Sequence, residues 1–272
     1  LGLLRPMPSL LRVLATFAEP SDEAAHAEPA ASASPQPGPP SSPSARATGG
    51  ATAPELRPLT SADQRRAFLD ELQGARCLAL EVATGSDTRP KQVALALSTT
   101  HAWLLPEGAL EGDAELRESL TRVLSDATVA KVVHDAKAAV LAFDGLTPIA
   151  GLRLDTRLAS YLLDSEAAND LRSVLLRDGY DVPLTEATPS LFPDAEAVSR
   201  TLGIGATGLL AIEAPLTARL TEAGLLSLLT EVELPLVPIL ARMQRRGVVL
   251  QPARLGRLAE QCATGIAELE AR

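Results

Sequence analysis

The sequence predicts an α/β fold, one mixed β-sheet covered by helices, followed by a wholly helical segment. Three observations predict it. Short apolar runs bounded by turn residues lie at 77–83, 92–98, 102–105 and 129–133, with the length and residue types of strands. Helix-periodic stretches are interleaved with them at 61–72, 114–124 and 136–143. Beyond Asp155 only the helical period remains, at 156–164, 169–177, near 195–203, 207–222, 224–245 and 252–271. Strands interleaved with helices, then helices alone, describe a single sheet with covered faces.

Taken in order, residues 1–18 suit a short helix around Leu10, Leu11, Val13 and Leu14, the trailing end of an upstream domain. Arg5, Pro6, Pro8 and Arg12 interrupt the run and no cleavage pattern follows, so a signal peptide is not expected. The chain opens on Leu1 rather than Met, as a piece of a longer protein would. Residues 19–58 interleave Pro20, Pro29, Pro35, Pro37, Pro39, Pro40, Pro43, Pro54 and Pro58 with Ala, Ser and Gly. Such a segment buries too little apolar surface to offset its ordering entropy, so a disordered linker is expected.

Folded sequence is expected from Leu59, in a domain running over 59–222. Ser61 with Gln64 three residues on makes a capping box for the first helix. No stretch approaches the ~20 continuous apolar residues that cross a bilayer, so no membrane partner is expected. In the helical segment 223–272, Leu236, Ile239, Leu240 and Met243 form one apolar stripe on a helix opening at Pro235, with Pro238 in its first turn. Leu255, Leu258, Ile266 and Leu269 line a second.

Composition bounds the partners. The net charge is −9 and only Lys91, Lys131 and Lys137 among the 25 basic residues are lysines. Duplex DNA is bound mainly by cationic side chains that neutralise phosphates, so an acidic chain is a poor autonomous DNA binder. Arg242, Arg245 and Arg246 are the densest basic cluster and suit a helix end. Cys77 and Cys262 offer neither a disulfide framework nor zinc spacing, consistent with a reducing, cytoplasmic setting. His26, His101 and His134 form no metal motif, and no GxSxG elbow follows a strand.

Two stretches carry a resemblance. Residues 129–165, VAKVVHDAKAAVLAFDGLTPIAGLRLDTRLASYLLDS, place His-Asp-Ala-Lys after a strand and Leu-Asp-Thr-Arg-Leu-Ala-Ser-Tyr-Leu-Leu at a helix start. Residues 233–248, ELPLVPILARMQRRGV, follow in the right order. Together they resemble the 3′–5′ exonuclease-like region of the bacterial DNA polymerase I family and its junction with the polymerase domain. The resemblance spans about residues 55–272. It implies a ribonuclease-H-like fold of the DEDD exonuclease type over 59–222, and over 223–272 the truncated start of the polymerase thumb. The palm and finger motifs that carry polymerase catalysis are absent from this stretch.

Nucleases of that type hold two divalent metals ~3.5–4 Å apart on carboxylates, because Mg²⁺ is a hard cation requiring oxygen ligands. The resemblance places the first-motif Asp-x-Glu at Glu81 and Ala83, on one face of a strand. It places the second-motif Asn and Asp at Asp135 and Ala139, and the third-motif Tyr and Asp at Thr201 and Gly205. One carboxylate position in four keeps a carboxylate. Losing even ~5 kcal/mol of metal-derived stabilisation slows a reaction by several thousand-fold, so no metal cofactor and no nuclease activity are expected.

The module then serves as a monomeric brace for its own polymerase domain in cis, touching DNA through the parent polymerase. An alternative stays open: an active exonuclease in which Glu81 and Asp135 are rearranged ligands for Mg²⁺ or Mn²⁺. Against that alternative, Asp135 reads first as the N-cap of its helix, Glu81 as a strand-end carboxylate, and Asp155 with Thr156 as a structural helix start.

Overall fold

A computed structural model describes residues 53–85, 89–180 and 194–271. The expectations for residues 1–18 and for 19–52 lie outside this range. The first described element contradicts the linker boundary at Pro58. Glu55–Pro58 is a strand, β1, which pairs in parallel with β4 (His101–Leu105). Proline is admissible there because β1 is an edge strand with its own end at Pro58. Arg57 pins it, stacked 5.4 Å over Trp103 and hydrogen-bonded to Glu71 at 3.3 Å.

Helix α1 (Ala62–Gln73) starts on the expected capping box, with Ser61 Oγ accepting from Gln64 N and the Gln64 side chain accepting from Ser61 N. Then come β2 (Cys77–Thr84), β3 (Pro90–Ala96), β4, the short α2 (Ala109–Gly112), α3 (Ala114–Ser125), β5 (Ala130–Val133) and α4 (Ala136–Ala142). Strand β6 (Leu152–Asp155) follows. Its four residues are too few for a readable alternation, and it was not expected. The sheet order is β1-β4-β3-β2-β5-β6, mixed: β1–β4, β2–β5 and β5–β6 are parallel, β2–β3 and β3–β4 antiparallel.

The period of two along each strand divides the interior. One face carries Leu78, Leu80, Val93, Leu95, Trp103 and Leu105 against Phe68, Leu72, Leu116, Leu120 and Leu124 of α1 and α3. The other presents small residues, Ala79, Ala94, Ala96 and Ala102. Helices α5 (Thr156–Leu163), α6 (Leu171–Arg177) and α7 (Ala195–Glu222) belong to that second side. Alanines let α7 lie close to the sheet. At Gly203 a Cβ would come within 2.6 Å of Leu56 Cδ2 and 2.9 Å of Leu104 Cδ2.

Helix α7 corrects two expectations. Its 28 residues form one helix where two segments were expected, because the glycines that look like a break serve the close contact. It is also long and apolar enough to cross a bilayer, with a window of mean hydropathy 1.3, half of it buried inside the protein. Its Ile204, Leu209, Ile212, Leu216 and Leu220 face the core, so it is a core helix of this fold.

Gly224 at φ 71 turns the chain into α8 (Leu226–Leu228), a π-helical turn (Leu229–Glu233) and α9 (Leu234–Arg246). Pro238 lies inside α9 rather than in its first turn. The buried face of α9 is Leu234, Val237 and Ala241, whereas the expected stripe of Leu236, Ile239, Leu240 and Met243 is exposed. The compact unit that contains the sheet runs to Ala241, beyond the boundary expected at 222. Residues 242–272 cluster separately. There α10 (Pro252–Glu270) starts with Pro at its first turn and leaves Leu255, Leu258, Ile266 and Leu269 exposed.

Candidate functional site

The site lies where β2, β5, β6 and α7 converge. Strand β6 ends at Asp155, whose residue is 2% exposed, and its carboxylate serves two helices. Oδ2 accepts from Ala136 N at 2.7 Å, and Oδ1 from Asp135 N at 3.2 Å, both at the start of α4. Oδ1 also accepts from Arg157 N at 2.9 Å and Leu158 N at 3.2 Å, at the start of α5. A carboxylate at two helix N-termini answers orphan N–H groups of both. Burial pushes this carboxyl above the usual range, and the N–H groups pull it back.

Asp135 adopts the left-handed conformation, φ 66, and caps α4 by accepting from Ala138 N at 2.9 Å. Its Oδ2 receives Arg157 Nη1 at 2.6 Å. Beside it, His134 Nδ1 meets Thr156 Oγ1 at 2.9 Å. Burial and the nearby Arg157 cation hold this imidazole down at about 4, so it is neutral at pH 7.

Glu81 projects from β2 on the α7 side. Its Oε1 is buried with no hydrogen-bond partner. Burial pushes the carboxyl up to about 8, the His134 backbone opposes, and the Asp155 and Asp135 charges add to the rise. Across from it stands Gly205 of α7, where an added Cβ would lie 3.4 Å from Glu81 Cγ.

The remaining positions scatter. Ala83 pairs with Gln92 beside a bulge, and Gln92 Nε2 donates to Ala195 O at 3.0 Å. Ala139, 3% exposed, sits in the core on the α1 side of the sheet. Thr201, one turn before Gly205, turns its hydroxyl onto Ala197 O at 2.9 Å. The geometry thus brings Glu81, Asp135, Asp155 and Gly205 together and leaves Ala139 in another layer.

This arrangement fits the match of residues 79–187 to the DNA polymerase I, ribonuclease H-like domain family. The region is a polymerase I exonuclease-like domain. The chain is 30% identical over 235 residues to DNA polymerase I of Pseudomonas aeruginosa, covering 75% of this chain and 25% of that protein. It is 30% identical over 189 residues to DNA polymerase I of Geobacillus stearothermophilus, covering 66% and 21%. The chain therefore spans about a fifth to a quarter of these relatives' length.

Solved structures agree on the fold. The polymerase domain of Pol1 from M. smegmatis, in complex with DNA primer-template and dNTP, superposes with a TM-score of 0.62 at 22% identity. The match covers 78% of this chain and 36% of that one. NrnC of Brucella melitensis superposes with 0.56 at 17% identity, covering 71% and 95%.

The donor set does not fit the metal pair that exonuclease-like domains imply. Coordination needs carboxylate oxygens free to bind. Both oxygens of Asp155 and both of Asp135 are engaged by N–H donors or by Arg157. The one unengaged oxygen of the set is Oε1 of Glu81, whose carboxyl burial pushes up to about 8. Among the described residues no group of three or more His, Cys, Asp and Glu side chains is arranged for a metal.

Asp155 is legible in the sequence as a helix start, but its second helix is not. The contact at Asp135 and Ala136 crosses about twenty residues, and no local spacing signals it.

Proposed function

We propose that this chain is a segment of a DNA polymerase I in which the exonuclease-like domain is non-catalytic. It braces its own polymerase domain in cis, acts in a monomeric cytoplasmic enzyme, and meets DNA through that parent polymerase. The carrying observation is the contrast between a kept framework and lost ligands. Asp155 holds two helix N-termini, while Ala83, Ala139 and Gly205 stand where the family resemblance places carboxylates. Residues 223–272 begin the polymerase part in this reading, and no metal is required by the segment.

The test is digestion of a 5′-labelled single strand by the purified chain with Mg²⁺ or Mn²⁺, beside Glu81→Ala. The expected result is no shortening by a folded chain. Shortening from the 3′ end that disappears in Glu81→Ala establishes the rival reading, a working exonuclease with Glu81 and Asp135 as relocated ligands.

A further inference from the structure

We propose that the third ligand position is closed by packing as well as by substitution, and that Leu171 is the residue that closes it. The inference rests on the non-catalytic reading above. A Cβ built on Gly205 would meet Leu171 Cδ2 at 2.8 Å before it met Glu81 Cγ at 3.4 Å. Ordinary carbon contacts optimise near ~3.5–4.0 Å, so an aspartate at this position requires the Leu171 methyl to move aside.

Leu171 is not free to swing at no cost. It opens α6, whose cap is Asp170 accepting from Ser173 N at 3.0 Å, and its side chain packs in the cluster that holds Val174, Leu175 and the buried face of α7. Leu171, itself half-buried against that cluster, lies between Gly205 and the open side of the fold.

Charge opposes a metal on the neighbouring flank. Arg157 Nη1 lies 2.6 Å from Asp135 Oδ2, so a fixed cation occupies one side of the carboxylate group. Its side chain is 56% exposed, and solvent screens it. Leu171 is therefore the stronger obstacle. Returning carboxylates to 83 and 205 beside Glu81 does not by itself rebuild a metal site.

The experiment uses the full chain carrying Glu81→Asp, Ala83→Glu and Gly205→Asp, with and without Leu171→Ala, titrated with Mn²⁺ by calorimetry. Leu171→Ala is expected to tighten Mn²⁺ binding by about tenfold or more, a change of ~1.4 kcal/mol. Equal affinity in the two backgrounds, or binding in neither, overturns the proposal.

A thermal cycle guards against a restored chain that fails to fold. Leu171→Ala alone lowers Tm, and in a Gly205→Asp background it raises Tm. Lowering in both backgrounds overturns the proposal. Digestion by the unmodified chain is a separate outcome: it would sink the non-catalytic reading, whereas the cycle alone judges Leu171.

Discussion

Asp155 and Glu81 are carboxyls of one sheet, Asp155 buried and Glu81 half-buried with one oxygen enclosed, and the protein treats them in opposite ways. Asp155 accepts from four backbone N–H groups. Glu81 keeps an oxygen with no partner and a carboxyl pushed up to about 8. Burying a charge is costly unless donors surround it. The carboxyl with a structural task is fully satisfied, while the one where the resemblance places a ligand keeps an oxygen without a partner and is pushed toward its neutral form.

Asp155→Ala should break the comparison hardest. It leaves donors at the start of both α4 and α5 without an acceptor, at ~1–3 kcal/mol for each that stays buried. A loss of about 3–4 kcal/mol in urea unfolding is expected, with Asp155→Asn milder because an amide oxygen still accepts. A loss below ~1 kcal/mol would show that the N–H groups find water instead.

Glu81→Gln tests the other side through pH. The folded value of about 8 lies above the ordinary 4.5, so between them the native state holds a proton that the unfolded chain has released. Stability from this group is fully present below 4.5 and is lost as pH rises through 8, at up to about 1.4 kcal/mol per pH unit. His134 runs opposite: with its value depressed from 6.5 to about 4, its contribution is present above 6.5 and lost as pH falls through 4. The variant should match the wild type at acid pH and gain on it steadily up to about pH 8. A flat difference across that window means Glu81 is ionised in the fold.

Asp135 should give the smallest effect and sharpen the distinction between cap and ligand. Asp135→Ala loses the cap to Ala138 and leaves φ 66 to a side chain without the local hydrogen bond by which Asp tolerates that region, costing about 1–2 kcal/mol. Asp135→Asn keeps both the acceptor and the tolerance of that backbone region. It forfeits chiefly the exposed Arg157 pair, roughly 0.5 kcal/mol. Calorimetric melting of the two variants checks the order, and equal losses would place the weight on the ion pair.

Much of the fold was legible because its signals are local. Ser61 with Gln64, the apolar runs of β2, β3 and β5, and the position of Asp135 after a strand all act within a few residues. The alternation in 77–83 put Glu81 and Ala83 on one face before any contact was known. Elements without a local signature were missed: β1 ends in a proline, and β6 is four residues long. The stripe on α9 misled, since hydrophobicity is non-directional and its period does not say which face meets the core.

What the sequence by itself determined is four of the six strands, the caps at Ser61 and Asp135, and that Ala83, Ala139 and Gly205 stand where the resemblance places carboxylates. Tertiary structure alone decided that 195–222 is one continuous helix, that Asp155 serves two helices, and that Leu171 fills the space beside Gly205 and Glu81. The physical reason is range. Capping and alternation are set by neighbours in the chain, whereas volume and desolvation depend on which distant residues pack together, and β2, α6 and α7 meet at Gly205 only when the chain is folded.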